Sequence, residues 1–261
     1  MLKFLRNGKI RIALVLICIA VIIYESIGLY QDNKEYEVAE TEYETLIKTS
    51  VTIDEKEEPQ PDSNNFPPLH IRYGQLKAIN SDFAAWLYFP YFSISYPVVH
   101  EKEIDEYLNT TFDGTKNIAG CLFTDILSTE DFSGMHDIIF GHNMRNGSMF
   151  GKLKKLSQSD DRTLLQENPY IYIYTENEVY QYEIFAYYVT TVGSDAYSVV
   201  SSESEYDVFL DYISSNSIYQ MPDDLDLSQH PSILTLSTCS GKSGSGRRFV
   251  IHAAKINTWQ Q

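Results

Sequence analysis

Basic residues are scarce in this chain. Its 261 residues carry 20 Lys plus Arg against 36 Asp plus Glu, a formal charge of -16, so attraction to a phosphate backbone is not its main business and nucleic acid is a poor partner. Cysteine is scarcer still: Cys18, Cys121 and Cys239 are too few and too scattered for a disulfide framework. No C-x-x-C or His/Cys cluster offers a structural zinc site. The acidic runs at Asp54–Glu58 and Asp223–Asp226 lack calcium-loop spacing, so no metal and no cofactor is expected. What the chain does have is 43% apolar content, enough for one sizeable core. It also has 20 tyrosines, many in alternating runs that favour β-structure over a helical bundle.

Charge is unevenly spread. Lys3, Arg6, Lys9 and Arg11 precede IALVLICIAVIIY (Ile12–Tyr24), and Ile27–Tyr30 extend the apolar stretch to about 19 residues, just enough to cross a bilayer core. No small-x-small cleavage site follows, which favours an uncleaved signal anchor. The flanking positive charge places the amino terminus in the cytoplasm and everything after Gln31 outside. Residues 1–31 are thus expected to form a basic tail and transmembrane anchor. In 32–65, Tyr36, Tyr43, Leu46 and Ile47 share one face of a short helix that should pack on the domain, and the Pro-rich acidic stretch 54–68 reads as linker. The folded domain is expected over 66–261.

Within it, YGQLKAINSDFAAWL (73–87) spaces its apolar residues as two short helices. Residues 88–99 alternate around two prolines, as edge strands would. The stretches 117–125 and 136–143 read as buried strands, and 170–192 as a hairpin. Ser202 with Glu205 three residues later opens a helix over 202–216, and 231–239 and 247–256 are strands joined by SGKSGSG. The sum is a mainly β fold: an antiparallel sheet closed into a barrel, with peripheral helices.

Parity places Leu234 and Leu236 on the core face, and Thr235, Ser237 and Cys239 on the other, facing a groove or solvent. Arg248, Val250 and His252 share one face of the next strand, so a seven-residue loop returns Arg248 beside Cys239. A thiol next to a permanent cation is in the setting where thiolates form and attack carbonyls. Cys121, inside an apolar run, reads as a core residue. A proton acceptor is needed, and six histidines are available. His142 stands out because it leaves an apolar run at a strand end, before a turn and a helix expected to carry Met149, Phe150, Leu153 and Leu156. His70, His100, His136, His230 and His252 read as surface or packing residues.

TLSTC (Thr235–Cys239), the arginine of RRFV and an upstream GHN (Gly141–Asn143) together resemble the active-site signature of sortases, the cysteine transpeptidases of Gram-positive cell surfaces. YGQLKAINSDFAAWL, SYPVV, EYLNTTFDGTKNIAGCLFTD, GHNMRNGSMFGKL and the helix before TLSTC resemble class B, over about Tyr73 to Ile256. The resemblance implies a sortase-like barrel with Cys239 as nucleophile, His142 as general acid and base, and Arg248 as oxyanion and substrate donor. It further implies cleavage of a carboxy-terminal sorting signal after Thr, a thioacyl enzyme, and transfer of the protein to a peptidoglycan amine. Ser237 by parity and Thr238 by proximity are expected to line the substrate groove. Ser240 stands where class B members often carry an acidic residue, so substrate choice stays open. A pilin-polymerising enzyme using a Lys side-chain amine is the near alternative, and an anchored peptide-binding module is the distant one.

Overall fold

In a computed structural model, the structure describes residues 8–53, 69–159, 165, 168–242 and 244–261. The basic residues Lys3 and Arg6, the whole of the expected linker 54–68 and with it the expected domain start at Phe66 lie outside them.

The apolar stretch and the amphipathic stretch form one continuous helix, α1 (Gly8–Ser50), about 65 Å long at 1.5 Å per residue. It is the one helix among the described residues that is long and apolar enough to cross a membrane. Its upper part shows Ile12, Ile22 and Tyr24 to the surroundings, while Ala39, Tyr43 and Leu46 near its end are buried against the domain. A short ribbon of β1 (Val51–Ile53) and β2 (Leu69–Ile71) follows.

Of the two short helices expected over 73–87, only α2 (Tyr73–Ile79) forms. Asn80 leaves it in an extended conformation, and its Oδ1 accepts from the Asp82 N–H at 2.8 Å, an Asx turn that redirects the chain. The apolar residues after it become β3 (Phe83–Phe89), buried on both faces, which explains why their spacing did not alternate. β4 (Ile94–His100) is likewise no edge. It pairs with β3 on one side and, from Val98 onward, with β5 (Leu122–Thr124) on the other. Pro97 is tolerated because it lies just before that second ladder begins.

β6 (His136–Phe140), β7 (Tyr170–Tyr174), β8 (Glu178–Thr191), β9 (Ile233–Cys239) and β10 (Arg247–Gln260) complete a closed barrel, in the order β10-β8-β7-β3-β4-β5-β6-β9. Most ladders are antiparallel, but β4–β5 and β6–β9 run parallel. The connections between those strands are long enough for such crossovers. Met149, Phe150, Leu153 and Leu156 are buried as their character requires, yet only Leu156 lies in a helix, the five-residue α3 (Lys154–Gln158). The rest sit in successive tight turns closed by Gly151 N–H to Ser148 O and Leu153 N–H to Phe150 O.

Two apolar clusters result. Leu234, Leu236, Phe249 and Ile251 face the barrel interior. Ile233, Val250 and Ala254 face outward, under Tyr206, Phe209 and Ile213 of α4 (Glu203–Asn216). Ser202 caps α4 by accepting from the Glu205 N–H, a bond worth about 1 kcal/mol. The face of β9 expected to line a groove is therefore roofed by α4 along most of its length, and Thr235 and Ser237 are buried. Only its Cys239 end emerges.

Candidate functional site

The β9–β10 ladder ends on the pair Cys239 and Arg248. Cys239 is exposed and Arg248 half-buried, whereas Arg247 turns outward. On the other side of β9 the parallel ladder with β6 ends at Phe140 opposite Ser237. Two residues further along both strands come His142 and Cys239. Three bonds carry that alignment past the ladder: Gly141 N–H to Ser237 O (3.1 Å), Thr238 Oγ1 to Gly141 O (2.7 Å) and Asn143 Nδ2 to Cys239 O (2.8 Å). Gly141 must lack a side chain, because a Cβ there would meet the Phe150 ring at 2.6 Å and also strike Leu122.

Cys239, His142, Arg248, Ser237 and Thr238, all singled out in the sequence, line one cavity of about 270 Å³. His142 Nε2 lies 2.6 Å from the Leu108 carbonyl. A carbonyl can only accept, so Nε2 carries hydrogen, and Nδ1 is the nitrogen of the neutral ring that can take up a proton. Ser237 and Thr238 are nearly buried, and both hydroxyls are engaged: Thr238 with Gly141, and Ser237 Oγ with the Tyr197 hydroxyl at 2.9 Å.

Tyr197 was not singled out in the sequence. It sits in a single 3-10 turn, Asp195–Tyr197, after β8, where no periodicity marks it. Its ring stacks on Phe140, and burial raises the pKa of its phenol, an effect the nearby Arg248 guanidinium opposes and Cys239 reinforces. The cavity wall also includes Glu101, Asp105 and Asp125 from loops flanking β4 and β5. Burial pushes the Glu101 carboxyl up to about 7, although it accepts from the Tyr107 N–H at 2.9 Å.

Cys121 is fully buried, with its thiol pKa raised by desolvation, and lies away from the cavity. His136 and His252 are buried in a hydrogen-bonded chain. His136 Nδ1 donates to Ser198 O (2.8 Å). Thr235 Oγ1 bridges His136 Nε2 (2.7 Å) and His252 Nδ1 (2.8 Å), and His252 Nε2 meets the Tyr188 hydroxyl (3.0 Å). The chain ties β6, β9, β10 and β8 together beneath α4.

The sortase-domain family model matches residues 87–256. The chain is 32% identical to sortase B of Listeria monocytogenes over 186 residues, 70% of this chain and 73% of that one. This protein belongs to the class B sortases. Among solved structures, it superposes on sortase B from Bacillus anthracis in complex with AAEK1 with a TM-score of 0.68 at 27% identity, covering 87% of this chain and 99% of that one. Clostridium perfringens sortase B gives 0.63 at 30% identity, covering 70% and 99%. As a sortase it is a cysteine transpeptidase that takes sorting-signal substrates and an amine nucleophile. With its apolar amino-terminal helix it is a membrane-associated protein of the cell surface.

Proposed function

We propose that Cys239 is the nucleophile of this sortase, His142 its general acid and base, and Arg248 the donor that holds the substrate and the developing oxyanion. The observation that carries the proposal is that these three side chains, remote in sequence, line one cavity at the adjoining ends of β6, β9 and β10. Cys239 Sγ attacks the threonine carbonyl carbon of a sorting signal, and the charge gathering on the oxygen faces the planar guanidinium of Arg248. The peptide C–N bond breaks as His142 delivers a proton to the leaving amine. An acceptor amine then attacks the thioester, gives its proton to His142 and restores the thiolate. Ser237 and Thr238 line the peptide groove, Ser237 also seating the Tyr197 hydroxyl and Thr238 tying the strand end to Gly141.

The acceptor in this reading is a cell-wall peptidoglycan amine. Residues 1–31 form the basic tail and anchor, 32–65 the connection and 66–261 the catalytic domain, with the amino terminus cytoplasmic and the barrel outside. The full chain in detergent micelles, given a panel of Pro/Thr-containing pentapeptides with glycine-terminated or lysine-bearing amines, tests the chemistry by mass spectrometry. Amide products and a thioester adduct on Cys239 are expected. Hydrolysis alone with every amine, or turnover retained in Cys239→Ala, overturns the assignment, and products formed only with lysine side chains move the acceptor to pilin-type amines.

A further inference from the structure

His142 is oriented by a backbone carbonyl, and that carbonyl belongs to an irregular segment. Leu108 lies between β4 and β5, outside every barrel ladder. It is held by the 117–121 stretch, through Cys121 N–H to Tyr107 O (3.1 Å) and Asn117 N–H to Asn109 O (3.0 Å), and Gly120 is what lets that stretch approach. With φ of +57°, Gly120 packs so closely on the Tyr107–Leu108 peptide that a Cβ would lie 2.6 Å from both carbonyl oxygens. Gly120 is in turn held from behind: its own carbonyl accepts the Tyr43 hydroxyl at 2.6 Å, in a buried bond.

Tyr43 belongs to α1, and α1 grips the same segment at further points. The Glu35 carboxylate accepts from Ile118 N–H (3.1 Å) and its backbone carbonyl from Asn117 Nδ2 (2.9 Å), while Glu42 accepts from Asp113 N–H (3.0 Å). Residues 35, 42 and 43 are two turns apart or adjacent, so one face of α1 makes all these bonds. Helix packing for its own sake would need only the apolar face. Here polar groups are spent on a loop whose free amides would otherwise be satisfied by water.

We propose that α1 is part of the catalytic apparatus, with Tyr43 and Gly120 as positioning residues that set the Leu108 carbonyl, and through it the His142 ring. The proposal rests on the general acid and base role of His142. It makes the helix that continues into the apolar stretch a determinant of turnover as well as a tether.

The test uses the full chain in detergent micelles, a fluorogenic Pro/Thr-containing pentapeptide that the wild type cleaves, and ¹⁵N-histidine spectra. Tyr43→Phe removes one hydroxyl and is expected to lower kcat about fivefold with KM unchanged. Gly120→Ala displaces the carbonyl and is expected to lower kcat ~100-fold. In both, the His142 Nε2–H resonance, identified by its loss in His142→Ala, moves upfield, while the signals of buried His136 and His252 stay in place and report an intact fold. Should Gly120→Ala not fold, Tyr43→Phe decides alone. Wild-type kcat or an unmoved His142 resonance in Tyr43→Phe, with His142→Ala inactive, overturns this inference and leaves the catalytic reading standing. Wild-type kcat in His142→Ala removes both.

Discussion

Arg248 stands directly across the β9–β10 ladder from Cys239, the final pair before the strands separate into the loop. Nine positions of chain thus collapse to one cross-strand step, the spacing at which paired side chains touch. The pairing places a permanent, planar cation beside the only cysteine of the barrel that reaches the surface.

Replacing Arg248 by Lys keeps the charge but loses the rigid fork of donors. Turnover of a sorting pentapeptide is expected to fall ~100-fold or more, on the scale of losing one oxyanion donor. The thermal midpoint should stay within a degree or two, since among the described residues the side chain makes one hydrogen bond, to the Arg247 carbonyl. Steady-state kinetics alongside differential scanning fluorimetry measures both.

Cys239→Ala is expected to abolish turnover, leaving peptide binding intact. Cys239 is exposed and its side chain fills no part of the core, so stability should change by less than about 0.5 kcal/mol. Cys121→Ala should do the reverse: kcat persists, but a fully buried thiol is lost from the core, at a cost of roughly 1–2 kcal/mol. Denaturant titration and peptide cleavage on the same preparations separate the two cysteines.

Burial lowers the His136 imidazole to about 4, against 6.5 for an unperturbed ring. Between those values the unfolded chain binds a proton that the folded chain refuses, so stability is full above about pH 6.5 and falls as the pH drops toward 4. The loss amounts to roughly 3 kcal/mol at the acid end. Burial also lowers His252, well below its ordinary value, so His136→Gln should make this acid limb shallower without abolishing it in urea melts taken across that range, and a limb unchanged from wild type would show that His136 does not contribute to it.

Glu101 behaves oppositely. Its carboxyl titrates near 7 in the fold against 4.5 when unperturbed, so the folded state holds the extra proton and stability declines as pH rises through that window. Glu101→Gln keeps an acceptor for the Tyr107 N–H and should raise the thermal midpoint at pH 8 while leaving it unchanged at pH 4.5. Equal midpoints at pH 8 would place the ionised carboxylate in better solvent than its buried position implies.

The local sequence settled much of this protein by itself. Strand parity separated Leu234 and Leu236 from Cys239, the Ser202 and Glu205 pair set the start of α4, and the apolar run after Arg11 wrote the amino-terminal helix. These are short-range rules, and each needs only a handful of neighbouring residues. Only the tertiary structure decided what lies opposite what. The parallel β6–β9 register that brings His142 alongside Cys239 joins strands separated by nearly a hundred residues. Phe83–Phe89 became a strand because both faces are covered, and Thr235 was buried by a helix that packs over it. Tyr197 and Glu101 reach the site from a turn and a loop, and the Tyr43–Gly120–Leu108 contacts join it to α1. Their placement comes from close packing between distant segments, which leaves no periodic trace in the chain.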